Sequence, residues 1–180
     1  MSVRGRTLWC VLVVAALSAP PLILSACLGE IGPTKADLEL RVPMRDGFDR
    51  VADALQPSCG TLDCHGQAQR NWRLFGGRGL RLASTNTPGE GKTTAEEYEA
   101  NYWAVVVIEP EILSQVLADK GSDPERLILI RKGRGTTRHK GGTLMRPNDP
   151  LDTCLTEWLK GNLAADSCLA AAKITASPVP

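Results

Sequence analysis

The beginning of the chain constrains what the rest can fold into. Residues 1–7 carry Arg4 and Arg6 and no acidic side chain, and the run from Leu8 to Leu24 is apolar apart from Ser18 and the Pro20–Pro21 pair. A basic start, an apolar stretch and then small residues make a secretory signal. As a membrane-spanning helix the run is close to the lower length limit, and two adjacent prolines interrupt it. The part of the chain that follows therefore folds in an exported, oxidising compartment, where cysteines form disulfides or thioethers.

The run ends in Leu24-Ser25-Ala26-Cys27. An aliphatic residue, two small ones and a cysteine at this place resemble the bacterial lipobox. That resemblance implies cleavage before Cys27, a signal peptide over 1–26 and lipid on Cys27. Several acyl chains on one cysteine anchor firmly, because each buried methylene adds about 0.8 kcal/mol. The chain is expected at the cell envelope, held by lipid. Leu28 rather than aspartate after the lipidated cysteine points to the outer membrane. Loss of residues 1–26 removes Arg4 and Arg6, taking 21 basic residues to 19 against 20 acidic ones. A balance so near neutrality offers nothing to a nucleic-acid partner.

Residues 27–45 carry Gly29, Gly32, Pro33 and Pro43 without periodicity and are expected to form a lipidated, flexible tether. A domain is expected over 46–172, with a disordered tail over 173–180. Phe48, Val51, Ala52 and Leu55 share one face of a helix over 47–56, which Pro57 ends. The glycine- and arginine-rich stretch 71–91 reads as a long loop with a short extended piece at Leu80-Arg81-Leu82. Thr93 or Thr94 caps a helix with Glu96 and Glu97 in its first turn. Its end is blurred by the β-favouring Val105-Val106-Val107-Ile108. Further helices are expected over 110–118, over 124–131 with Pro124 in the first turn, and over 150–160 with Gly161 as the stop. The fold class is all-α, a small domain with long loops.

Apart from Cys10 in the signal and Cys27, four cysteines remain: Cys59, Cys64, Cys154 and Cys168. An even count in an exported domain suggests disulfides. Cys154 and Cys168 bracket the end of the 150–160 helix, and a bridge there pins the C-terminal segment back. Cys59 and Cys64 differ because His65 follows directly. Two cysteines and an adjacent histidine form the attachment order for c-type haem, in which thiols bond the vinyl groups and the histidine ligates iron. The usual spacing puts two residues between the cysteines; Gly60-Thr61-Leu62-Asp63 makes four. The alternative is a plain Cys59–Cys64 disulfide in a haem-free, stapled surface lipoprotein with a binding or structural role. The chain has two histidines, so His139 is a candidate second iron ligand, with Met145 as the other candidate. Zinc could draw on Cys59, Cys64, His65 and His139 by ligand type, though export favours disulfide or haem.

The order Cys…Cys-His-Gly (59–66), Gly-Leu-Arg-Leu (79–82), Asp-Pro-Glu-Arg-Leu (123–127), His-Lys-Gly-Gly (139–142) and Trp-Leu-Lys-Gly (158–161) is similar to c-type cytochrome domains of exported planctomycete and myxobacterial proteins. The resemblance spans roughly residues 47–168. It implies a cytochrome c-like fold and one haem c attached at Cys59 and Cys64, with His65 as proximal ligand and His139 or Met145 as distal ligand. It also implies single-electron transfer with a redox partner protein. Bond-making catalysis is not expected: no P-loop or dinucleotide fingerprint is present, and no serine has an elbow context.

Overall fold

The computed structural model describes residues 40–174, which fall within one compact unit, Glu39–Pro180. The expected signal peptide, lipidated Cys27 and the tether as far as residue 39 lie outside the described residues, as does the tail over 175–180. The described domain is helical. Six α-helices occur and, among the described residues, no strand beyond an isolated Phe75–Leu80 bridge. They are α1 (Phe48–Leu55), α2 (Ala95–Val106), α3 (Pro110–Ala118), α4 (Ile128–Gly133), α5 (Pro150–Leu159) and α6 (Ala165–Lys173).

The strong apolar stripe of α1 makes it the central element. Phe48, Val51, Ala52 and Leu55 are buried, and α1 packs against α6, α5 and α2. The Phe48 ring meets Tyr102 of α2 edge-on at 5.2 Å and Trp158 of α5, also at 5.2 Å. Edge-to-face geometry aligns ring quadrupoles favourably, beyond the burial itself. Helix α2 starts in a complete capping box: the Thr94 hydroxyl accepts from Glu97 N, and the Glu97 carboxylate accepts from Thr94 N. Its valines stay helical through Val106 because Val105 and Val106 are buried against neighbours.

Three expectations are corrected. Pro124 opens only a 3₁₀ turn, Pro124–Arg126, not a helix over 124–131. Leu127 then turns extended to bury its side chain, and α4 restarts at Ile128, whose N–H donates to the Glu109 carboxylate. A cap supplied from a distant segment leaves no local signal. Second, the domain begins before residue 46. Tyr102 Oη donates to Pro43 O at 2.7 Å, Trp158 Nε1 to Met44 O at 2.8 Å, and Arg41 N to Ser114 Oγ at 2.9 Å. Third, α6 adds a helix after Gly161 and runs to Lys173, one residue into the expected tail. The Cys154–Cys168 bridge holds it to α5.

Candidate functional site

Cys59 extends the course of α1 past Pro57, its N–H donating to Leu55 O at 2.8 Å. The chain then loops out and returns. His65 N donates to Cys59 O at 2.8 Å, while Cys64 N and Gly66 N both donate to Thr61 O. Leu62 and Asp63 stand exposed on the outside of this turn. The two extra residues of the cysteine spacing are thus absorbed by a solvent-facing bulge, and Cys64 and His65 come back beside Cys59. Close backbone approach fixes the turn. A Cβ on Gly66 would collide with Gly60 O and come within 2.8 Å of Gly79 Cα, and a Cβ on Gly79 would also strike Gly60 O. Only glycines allow these three segments to meet.

The long loop that follows is tied to α2. Asn101 is fully buried and holds Phe75 at both backbone groups, each at 2.7 Å. Arg81 forks onto Glu97 with bonds of 2.8 and 3.1 Å, and Glu97 also accepts from Leu82 N. Trp72 is fixed by Nε1 donating to Ala104 O at 2.9 Å. Its own carbonyl accepts from His65 Nδ1 at 3.0 Å, and its ring lies 4.4 Å from the imidazole. A carbonyl can only accept, so Nδ1 carries the hydrogen, and Nε2 is the nitrogen available to a metal. Burial holds His65 below the usual histidine value. The Trp72 carbonyl opposes that shift, and the neighbouring His139, Arg70 and Lys132 reinforce it. The neutral imidazole keeps its lone pair.

His139 sits opposite. Its ring centroid is 6.1 Å from that of His65 and the two planes differ by 8°. A metal bonded at about 2.0–2.1 Å to one nitrogen of each of two opposed imidazoles sets the centroids roughly 6.2–6.4 Å apart. The observed centroid spacing is close to that value. Both imidazoles line two cavities. One, of about 160 Å³, is walled by Cys59, Trp72, Ile108, Ile128, Leu129 and Leu144, with Lys132 at its edge. The other, of about 640 Å³, is lined by Asp63, Cys64, Gln67, Arg70 and Lys140 as well. The two cysteines thus border different cavities that share the histidine pair. Both are unbridged thiols. Burial first, and the neighbouring Cys64 second, push the Cys59 thiol up to about 12, so it stays uncharged.

Met145 is not placed with these groups. It is buried against Gly133, where an added Cβ would meet its Cε at 2.6 Å, and it lines neither cavity. The Cys59–Cys64 disulfide expected as an alternative is not formed, whereas the Cys154–Cys168 disulfide is. Among the described residues no three His, Cys, Asp or Glu side chains gather as a metal-ion set, so Cys59, Cys64, His65 and His139 do not assemble as zinc ligands. Haem asks for something different: two axial ligands across an open cleft, with the cysteines at the ring's edge rather than on the metal. That arrangement is compatible with both observations. The sequence did not reveal that the Trp72 carbonyl orients His65, nor that Lys132 borders the cleft. Comparison with protein-family models, curated proteins and solved structures finds no match.

Proposed function

We propose that this chain is a membrane-anchored, c-type cytochrome-like lipoprotein that carries one haem and passes single electrons at the cell envelope. The observation that carries this reading is the histidine pair, His65 and His139, with ring centroids 6.1 Å apart and near-parallel planes, set between two cavities of which Cys59 borders one and Cys64 the other. Cys59 and Cys64 would attach the ring's vinyl groups by adding S–H across each double bond. His65 and His139 would hold the iron. When bound, haem supplies a one-electron iron couple. The chain's own residues do the rest. Ile108, Ile128, Leu129 and Leu144 keep water from one side of the cleft. Trp72 orients the His65 ring, as carbonyl partners do for metal-bound histidines. Arg70, Lys132 and Lys140 give the cleft a positive character that offsets acidic substituents on the ring. Electron transfer needs no side chain poised as acid or base. Lipid on Cys27, outside the described residues, would keep the domain at the membrane within reach of a redox partner.

The test is the axial pair in the exported, haem-loaded chain. Near-infrared magnetic circular dichroism of the ferric protein is expected to report bis-histidine ligation, lost in His139→Ala and unchanged in Met145→Leu. A histidine–methionine signature would refute the assignment of His139.

A further inference from the structure

The two histidines are held very differently. His65 has its backbone N–H bonded to Cys59 O and its carbonyl accepting from Leu74 N at 2.9 Å, and its Nδ1 bonded to Trp72 O. The next residue, Gly66, is wedged against Gly60 and Gly79. His139 has none of this. Its Nδ1 is buried without a hydrogen-bond partner. It lies in a loop without regular structure, bracketed by Gly135 (φ +73°) and Gly142 (φ +66°). Its neighbours Arg138, Lys140, Gly141, Gly142 and Thr143 are exposed. Among the described residues, one hydrogen bond joins the segment 138–143 to the remainder of the domain: Lys132 Nζ to Arg138 O at 3.2 Å, itself exposed. Segments with few buried contacts and few bonds open locally at low free-energy cost. Metal-bound histidines ordinarily gain basicity and orientation from a partner on the second ring nitrogen. His139 lacks that support.

Resting on the haem reading above, we infer that His139 is a displaceable ligand and that its side of the haem is a binding site for a small neutral diatomic of the carbon monoxide or nitric oxide class. The exchange would break one iron–imidazole bond and form one iron–ligand bond, transfer no electron, and release the imidazole neutral as residues 138–142 move outward, while Thr136 and Thr137 stay bonded to Arg131 O. Ile128, Leu129 and Leu144 give an uncharged diatomic an apolar wall that costs it no desolvation, with Lys132 the one charged side chain lining that cavity. His65, pinned on three sides, remains on the iron.

The test uses the exported, haem-loaded chain reduced with dithionite and titrated with carbon monoxide. Wild type is expected to form a complex. If the open form is populated at about 1–10%, apparent affinity is about 10- to 100-fold weaker than in His139→Ala, whose site is permanently open. The carbonmonoxy spectra of wild type and His139→Ala should coincide, because the same ligand has left in both. Lys132→Ala, which removes the bond from Lys132 Nζ to Arg138 O, should raise the wild-type affinity several-fold and serves if His139→Ala fails to fold. Haem-bearing wild type that stays unreactive at saturating carbon monoxide would overturn this inference and leave the haem reading intact. A carbonmonoxy spectrum that differs between wild type and His139→Ala would also overturn it. Absence of covalent haem would overturn both.

Discussion

Removing the Cys154–Cys168 bridge should expose how much the site depends on a helix that cannot stand alone. The bridge joins residues 14 apart, one in α5 and one in α6, with both side chains fully buried. Closing a loop of this length lowers the entropy of the unfolded chain by an amount worth about 3 kcal/mol. Helix α6 spans nine residues and buries only Cys168 and Ala171, and isolated helices shorter than about 12–15 residues are marginal in water. Its docking on α1 and α5 therefore leans on the crosslink. For a domain with 135 described residues, each kcal/mol shifts the melting temperature by about 3–5 °C, so Cys154→Ala/Cys168→Ala should melt about 9–15 °C lower. Circular dichroism melts of the mature protein, oxidised and with a reductant, provide the assay. Wild type with reductant should approach the double variant, and the double variant should not respond to reductant. Because α1 packs on α6 and leads directly into Cys59, the variant should also take up haem less completely. A melting temperature within about 2 °C of wild type would refute the reasoning, since it would show that α6 docks without the crosslink.

Other consequences can be checked alongside. Burial pushes the Glu97 carboxyl up, but Arg81 and the N–H groups of Thr94 and Leu82 outweigh it and hold the group below the ordinary 4.5. A lowered folded value gives stability that is present above the unfolded value and lost as pH falls through the folded one. Glu97→Gln should therefore be less stable than wild type at neutral pH in urea melts, and the gap should narrow below pH 4.5. Met145→Ala should cost about 2–5 kcal/mol in denaturant melts, as a buried methionine does, yet leave the axial-ligand spectrum unchanged; an altered spectrum would put Met145 at the iron. Gly66→Ala drives a methyl group into Gly60 O and Gly79, and overpacking of this kind costs about 1–3 kcal/mol. Its melt should drop and its haem content should fall, because the turn carrying Cys64 and His65 must shift.

Much of the helical skeleton was legible because it rests on local rules. The stripe Phe48-Val51-Ala52-Leu55, a threonine cap at 93 or 94 with Glu96 and Glu97 in the first turn, Pro110 and Pro150 in first turns, and Gly161 after α5 each mark their element within a few residues. What stayed hidden depends on distant partners. The break at Leu127 follows from a buried side chain and a cap from Glu109, 19 residues away. Helix α6 is alanine-rich and weakly patterned, and its crosslink and its contacts with α1 and α5 stabilise it more than its own stripe. Pro43 and Met44 look like tether by composition, yet their carbonyls accept from Tyr102 and Trp158. At the site, the residue types could be named from Cys59, Cys64, His65 and His139. That His139 and not Met145 faces His65 is a property of the path from Gly135 to Gly142, which no local pattern specifies.

Haem attachment at Cys59 and Cys64 is the core of the proposed function. The most direct measurement is the intact mass of the exported, mature protein after denaturation, recorded with its absorption spectrum. A Soret band is expected, with a mass increment of one haem that survives both denaturant and reductant and with neither Cys59 nor Cys64 open to alkylation. A colourless protein in which both of these thiols alkylate, with or without prior reduction, would contradict it.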